Sequence, residues 1–315
     1  MPESFFILSK DYLELAIDEI IAISKMYDRF SKVKTISNVV IIQSKTNWNE
    51  ITKRASFVRV SGQILRKMSG LFLDEGNVEV LKNAKTFVCR IINLSSNLFN
   101  IPELERSMGD MISKFSHAKV KLQNPEITIY LIFTDQENFF GFSKRISKKN
   151  RPKKIKNHPH ELDWKLTRVM INLIGLKKGD TVCDPFCGTG TTLLEAESMG
   201  IHAIGLDFDE KMCEISKENI KENGYKSKVF KSDFQELSKF SREFDGIVTD
   251  LPYGRASKAS EKPEEILKKF FSIPLKRKKM AIMYKKELDK NLKLKEIKKY
   301  EIYRHKSLTR TILIK

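Results

Sequence analysis

The sequence predicts an α/β protein in which a doubly wound, mostly parallel sheet follows a smaller α+β region. Three observations carry this. From about residue 162 onward, helical and strand-like segments alternate one by one, the pattern of a parallel sheet covered by helices. Acidic residues stand at the ends of three consecutive strand-like segments, Asp184, Asp207 and Asp233. A chain of 315 residues with 41% hydrophobic content also exceeds one small core, so two domains are expected.

The first part mixes the two periodicities. Ser4 to Ser9 and Asn38 to Ser44 are apolar, strand-like runs. Between them, Leu13, Ile17, Ile20, Ile21 and Ser24 mark one face of a helix over Tyr12 to Met26. Phe57 to Leu65 and Thr86 to Asn93 read as strands, and Leu104, Met108, Met111, Ile112 and Phe115 as a helix. Glu126 to Thr134 and Asn138 to Ile146 form a hairpin around Asp135-Gln136-Glu137. The expected organisation is a subdomain over 1–55, a second over 56–146, a basic linker over 147–160 and the parallel-sheet domain over 161–315.

Around that linker, Lys144, Arg145, Lys148, Lys149, Arg151, Lys153, Lys154 and Lys156 follow one another without an acidic residue, and Pro152 and Pro159 keep the chain extended. A strap that contacts nucleic-acid phosphates is one reading, and a solvated linker is the other. The first is favoured because the segment joins the two halves and phosphate binding needs this charge. The whole chain agrees with it: 58 Lys and Arg against 40 acidic residues give a net charge of +18, which attracts a polyanion.

After the linker come a helix from about Leu162 to Ile174, strand Thr181 to Cys183, a Gly-rich turn, and a helix through Met199. Strand His202 to Asp207, helix Lys211 to Asn223, and strands Lys228 to Lys231 and Gly246 to Asp250 follow. Strand Lys279 to Tyr284 and a final pair, Ile297 to Tyr303 and Leu308 to Ile314, end the domain. A closing antiparallel pair is a common variation at a sheet edge.

Ligands of such sheets bind beyond the carboxyl ends of the strands. Asp184-Pro185-Phe186-Cys187-Gly188-Thr189-Gly190 sits at one. Gly188 and Gly190 let the backbone approach a ligand, and Thr191 opens a helix whose free N–H groups suit a carboxylate. A nicotinamide fingerprint does not fit, because its third glycine would fall at Leu193. Asp207 stands where an acidic residue binds ribose hydroxyls, and Asp233 is placed to accept from an adenine amino group, with Phe234 beside the ring. Phe186 and Phe208 are equally readable as core or as cofactor contacts. Together these residues predict an S-adenosyl-L-methionine site.

Asp250-Leu251-Pro252-Tyr253 ends the fourth strand. An amino group on a base shares its lone pair with the ring and is a poor nucleophile. An Asp250 oxygen and the Leu251 carbonyl can each accept one amino hydrogen and aim the lone pair at a methyl group. Pro252 stiffens that carbonyl, and Tyr253 offers a face for an extruded base. No metal is required, since alignment is the protein's contribution. The four scattered cysteines lack zinc spacing and fit a reducing cytoplasm. No apolar run approaches a membrane span of about 18 residues, and Met1 to Lys10 lacks the features of a signal peptide.

With both motifs in place, the chain resembles the archaeal THUMP-domain tRNA (guanine-10-N2)-methyltransferases over nearly its whole length. The resemblance is carried by His158-Pro159, Leu166-Thr167-Arg168, Asn172-Leu173, Asp184 to Gly190, Glu195-Ala196, Gly205 to Asp207, Asp250 to Gly254 and Ser307-Leu308-Thr309-Arg310. It implies a Rossmann-like class I methyltransferase domain over 161–315. It also implies a ferredoxin-like subdomain over 1–55 and a THUMP RNA-binding domain over 56–146. The implied partners are tRNA and, as in some relatives, a small zinc-containing activator subunit. Asp at 250 resembles the guanine-10 enzymes, whereas their guanine-6 relatives carry Asn-Pro-Pro-Tyr. Leu251 departs from the usual Pro. Two alternatives remain: an amino-methyltransferase acting on adenine or cytosine of DNA, and a tRNA-binding protein with an inactive methyltransferase domain.

Overall fold

The computed structural model describes residues 1–68, 79–146, 151–156, 162–252, 261–275, 278–292, 297–306 and 308–315. Two compact units emerge. The first comprises Met1–Leu13, Tyr27–Lys53 and Val58–Lys149, and the second Glu14–Met26, Arg54–Phe57 and Asn150–Lys315.

The first unit is built on an eight-stranded sheet in the order β2-β3-β1-β4-β8-β7-β5-β6. Its strands are β1 (Glu3–Leu8), β2 (Lys32–Ile36), β3 (Val39–Gln43), β4 (Val58–Met68), β5 (Thr86–Asn93), β6 (Lys119–Val120), β7 (Ile127–Phe133) and β8 (Asn138–Lys144). The expected hairpin is present as the antiparallel β7–β8 pair. β1 pairs with β3 on one side and β4 on the other, so the sheet runs unbroken across the boundary expected at 55/56. Strand composition does not reveal this, because pairing across a long connection leaves no local mark. Helix α3 (Ile101–Phe115) is capped by Asn100, whose side chain accepts from the Glu103 N–H. It places Met108 and Ile112 in a core with Phe87, Cys89, Ile129 and Phe140.

In the second unit, a seven-stranded sheet runs β11-β10-β9-β12-β13-β15-β14. The strands are β9 (Thr181–Asp184), β10 (His202–Asp207), β11 (Lys228–Lys231), β12 (Gly246–Asp250), β13 (Lys279–Lys285), β14 (Lys298–His305) and β15 (Leu308–Ile314). β9 through β13 are parallel, and β15 lies antiparallel to both β13 and β14. The chain reverses its direction of winding between β9 and β12. Ligands of open α/β sheets gather at such a switch point. Helices α4 (Trp164–Leu173), α5 (Thr191–Ser198), α6 (Glu210–Glu222) and α7 (Pro263–Ser272) provide the crossovers and flanks. The core on one side includes Leu206, Phe234, Ile247, Leu251, Phe270 and Tyr284.

The second unit also contains most of α1 (Leu13–Tyr27) and residues Arg54–Phe57, which the sequence divides between the subdomains expected over 1–55 and 56–146. Buried polar chemistry accounts for the grouping. Glu19 of α1 accepts from the Ser56 backbone N–H at 3.1 and 3.0 Å and from Asn172 Nδ2 of α4 at 2.7 Å. Asn172 Oδ1 in turn accepts from Arg54 Nε at 2.8 Å, and the Arg54 guanidinium donates to the Leu176 carbonyl. Burial pushes the Glu19 carboxyl up to about 6 against these hydrogen bonds, which favour its charged form.

Asn172 is the joint between a buried carboxylate and a buried guanidinium. Asn172→Leu should therefore destabilise the protein by about 3 kcal/mol, since it takes a hydrogen bond from each of two buried charged groups. The shift in urea midpoint measures this, and a change under about 1 kcal/mol would contradict the joint's importance.

Candidate cofactor and amine site

β9 delivers Asp184 to the switch point fully buried. Its carboxylate accepts from the Phe186 N–H at 3.1 Å and from the Thr249 hydroxyl, one residue before Asp250, at 2.6 Å. The chain then turns through Gly188 (φ 50°) and Gly190 (φ 86°), both in the left-handed region that favours glycine. A Cβ on Gly190 would also meet Ser216 Oγ at 2.5 Å, whereas the space a Cβ would take on Gly188 is open. Asp207, ending β10, secures the turn by accepting from the Gly188 N–H at 2.9 Å and from the Asp209 N–H at 2.9 Å. Gly190 caps α5 without a side-chain acceptor, so the positive end of that helix faces the turn.

Burial dominates the acids. It pushes Asp184 up to about 6, helped by the nearby Asp207 and opposed by the Thr192 and Thr249 hydroxyls and the Phe186 N–H. Asp207 is raised too, by burial above all. Cys183 and Cys187 are driven well above the usual thiol range, again chiefly by burial, and stay neutral. The four cysteines are free and buried.

Other expected cofactor residues divide. Thr189 and Thr191 are buried in the turn and at the start of α5. Phe186 packs on Phe234 at 4.9 Å between ring centroids and against the hydrophobic core, which favours the core reading for it. Phe234 is itself a core residue. Phe208 is 49% exposed at the end of β10 and is not a core residue. Asp233 is exposed and caps a short 3-10 helix (Phe234–Phe240), accepting from the Gln235 N–H at 2.8 Å.

β12 ends in Asp250, and the next residues are locked to β13. The Leu251 N–H donates to the Met283 carbonyl at 2.9 Å, and the Leu251 side chain, 2% exposed, fills the core. A proline at this position would lack the N–H that bonds Met283. Asp250 forms an ion pair with Arg310 of β15, a guanidinium only 3% exposed. Burial pulls Arg310 down to about 9. Reading the sequence does not assign Arg310 or Thr249 to the site. Each meets its acid only through the strand order of the folded sheet. Tyr253 and Gly254 lie outside the described residues, as do His158, Pro159 and Ser307.

The basic segment is more engaged than a free strap. The Arg151 guanidinium lies 3.4 Å from the centroid of the Trp164 ring and 3.8 Å from Glu195. Asn223 clasps Lys153 through its backbone N–H and carbonyl. Lys154, expected at the RNA surface, instead donates to Thr189 Oγ1 at 3.0 Å and to Thr191 Oγ1 at 2.5 Å. The clasp fixes the backbone one residue before this side chain. Lys144, Arg145 and Lys153 are exposed or nearly so at their ends of the segment, and Lys148 and Lys149 lie outside the described residues.

A seven-stranded sheet of this order, with buried acids at its switch point and a glycine turn opening a helix, defines a class I methyltransferase. A family model described as RMKL-like, methyltransferase domain, matches residues 151–311. A second, described as DNA methylase, matches residues 3–218 and ends before Asp250. The chain is 32% identical over 284 residues to a tRNA (guanine(10)-N2)-dimethyltransferase of Methanothermobacter thermautotrophicus, covering 85% of this chain and 83% of that one. It is 26% identical over 350 residues to the enzyme of the same name from Methanocaldococcus jannaschii, covering 98% and 97%. In fold it is similar to TrmN from Thermus thermophilus, with a TM-score of 0.59 and 18% identity over 100% of this chain and 99% of that one. It is likewise similar to a putative methyltransferase, SMU.472, complexed with SAH, with a TM-score of 0.54, 14% identity and coverage of 99% and 97%. The chain belongs to the tRNA (guanine(10)-N2)-dimethyltransferase family.

The cofactor is S-adenosylmethionine, and the turn fits it. Open space stands over Gly188, the start of α5 has no side-chain cap and suits a carboxylate, and buried acids at two strand ends suit an ammonium and ribose hydroxyls. An ammonium beside Asp184 favours its ionised form, so binding must compete with the proton below pH 6. The dissociation constant of S-adenosylhomocysteine should be flat above pH 7 and about tenfold higher at pH 5. Calorimetric titrations across this range check it, and a flat profile would remove Asp184 from the cofactor's charged end.

Proposed function

We propose that this protein transfers a methyl group from S-adenosylmethionine to the exocyclic N2 of a guanosine in tRNA, at position 10. The observation that carries the reading is the placement of Asp250 at the switch point, one strand from Asp184 and joined to it through Thr249. Bound cofactor supplies a sulfonium methyl, which is already electrophilic. The protein's part is to hold an amine in line. Asp250 and the Leu251 carbonyl accept the two amino hydrogens, drawing the nitrogen toward tetrahedral geometry. The buried Leu251 side chain, its N–H bond to Met283 and the fixed φ of Pro252 keep that carbonyl in place. Arg310 holds the Asp250 carboxylate. Tyr253 is the residue proposed to stack on the extruded base.

The choice of tRNA rests on the relatives' names and on the charge of +18. Residues 56–146 are proposed as a THUMP-type RNA-binding region, with Lys144, Arg145, Lys148, Lys149 and Lys153 on phosphates. A cytoplasmic location follows from a tRNA substrate and agrees with four free cysteines. A small zinc-containing activator subunit is a further candidate partner, on the strength of the family resemblance alone. The relatives' name also proposes transfer of two methyl groups to the same nitrogen.

Mass-spectrometric mapping of an unmodified tRNA transcript after reaction tests the reading, with methylated guanosine expected at position 10. Methyl transfer to duplex DNA in preference to tRNA would establish the DNA alternative instead.

Asp250→Ala should lower kcat at least about a hundredfold through lost alignment while leaving S-adenosylhomocysteine affinity within about twofold. It should also cost about 3 kcal/mol of stability, because Arg310 is left buried without its carboxylate. Adding Arg310→Met should restore most of that stability but none of the activity. Thermal unfolding and single-turnover methylation separate the two effects, and recovery of activity in the double variant would refute the role of Asp250.

Replacing Lys144, Arg145 and Lys153 by Ala should weaken tRNA binding and flatten its salt dependence. The slope of log affinity against log salt should fall by about 0.7–0.9 for each phosphate that these side chains neutralise. An unchanged slope would return these residues to an ordinary solvated surface.

A further inference from the structure

We propose that Lys154 binds the carboxylate of the cofactor's methionine end, which makes the basic segment a wall of the cofactor site. The proposal concerns S-adenosylmethionine alone and its supporting result is read from ligand binding without RNA, so it fails or stands separately from the tRNA reading.

The position comes first. The Lys154 ammonium reaches two buried hydroxyls, Thr189 within the glycine turn and Thr191 at the first residue of α5. It is held there by its own backbone surroundings. Asn223 of the chain just after α6 bonds both the N–H and the carbonyl of Lys153. Buried Asn219 of α6 accepts from the Ile155 N–H at 3.0 Å and donates to the Lys156 carbonyl at 3.1 Å and the Thr189 carbonyl at 3.0 Å. One asparagine thus clamps the basic segment and the cofactor turn together, with Lys154 between the two clasps.

Electrostatics then makes the placement meaningful. The first turn of a helix carries partial positive charge and attracts an anion, and an ammonium beside it adds to that attraction. Gly190 offers no side-chain acceptor as the cap of α5. Glu195 lies in the same helix, but it is already near Arg151 at 3.8 Å and Arg168 at 3.9 Å, and Lys154 adds a third cation to its surroundings. Arg151, Arg168 and Lys154 are thus three cations around Glu195, with Asp163 also near it, beside a turn that suits a ligand with one carboxylate. On the strand side, Asp184 and Asp207 supply the opposite sign. Cation on one side and acids on the other sort the carboxylate and the ammonium of the methionine end, which fixes the direction in which the sulfonium points.

The test compares S-adenosylhomocysteine with its decarboxylated analogue, which keeps the amine and lacks only the carboxylate. Lys154→Met should weaken S-adenosylhomocysteine about tenfold to a hundredfold, as expected for one charge-assisted hydrogen bond. The analogue should change by less than about twofold. Lys154→Arg should recover most of the affinity, and Lys156→Met, two residues away in the same segment, should alter neither ligand. Equal loss for both ligands would mean that Lys154 only shapes the turn, and loss for neither would place it outside the site. A fall in tRNA affinity with unchanged S-adenosylhomocysteine binding would return it to the RNA surface. Each of these three results overturns the proposal.

Discussion

The hydrogen bond from the Thr249 hydroxyl to the Asp184 carboxylate joins the two halves of the chemistry. Asp184 ends β9 and opens the turn that meets the cofactor; Thr249 is the penultimate residue of β12 and precedes Asp250. β9 and β12 are neighbouring parallel strands with Ile247 opposite Cys183. In the proposed function, a carboxylate in one strand and a hydroxyl in the next therefore fix the distance between methyl donor and acceptor. Alignment at this scale dominates a transfer in which the leaving group is already activated. Disturbing that bond would move both sites at once, whereas a change in either loop would move one.

Around this seam the molecule distributes charge in two opposite ways. Its total is strongly positive, yet the strand ends at the switch point carry buried acids whose desolvation raises them toward neutrality. The buried guanidinium at the reaction strand, Arg310, is matched to Asp250. Such pairs add little net stability, but losing one partner is costly. Their value in the proposed function is geometric: a carboxylate that is to accept a hydrogen from a substrate amine cannot also wander between rotamers. The same logic governs the Glu19–Asn172–Arg54 joint, which ties a helix from the first third of the chain to the methyltransferase sheet.

Much of this fold is legible in the sequence. Strands β5, β10, β11, β12 and β15 have the residues that apolar runs and turn signals indicate, because each is short, apolar and bounded by polar punctuation. β2 escapes such reading since its pattern is polar apart from Val33 and Ile36, as befits an edge strand. α2 (Trp48–Arg54) is too short to show a period. α7 carries Ile266, Leu267 and Phe270 on one face with a proline at its start, a signal that periodicity alone could have found. At the site, the motif residues of the turn and of β12 can be named because they are contiguous. Thr249, Asn219 and Arg310 cannot, since their partners lie 65, 30 and 60 residues away and only the folded chain brings them together. Charge composition marks the basic segment but not its orientation. Lys154 therefore reads as an RNA-facing lysine in the sequence, although its ammonium turns to the cofactor loop.

In the proposed function, the exocyclic amine at guanine N2 occupies the space governed by Asp250. A tRNA transcript carrying inosine in place of guanosine 10 tests it most directly, because inosine keeps the ring and its carbonyl and lacks only that amine. Methyl incorporation from S-adenosylmethionine should fall to background on the inosine transcript while the guanosine transcript is methylated and both bind with equal affinity. Continued methylation of the inosine transcript would refute guanine N2 as the acceptor and move it to another atom.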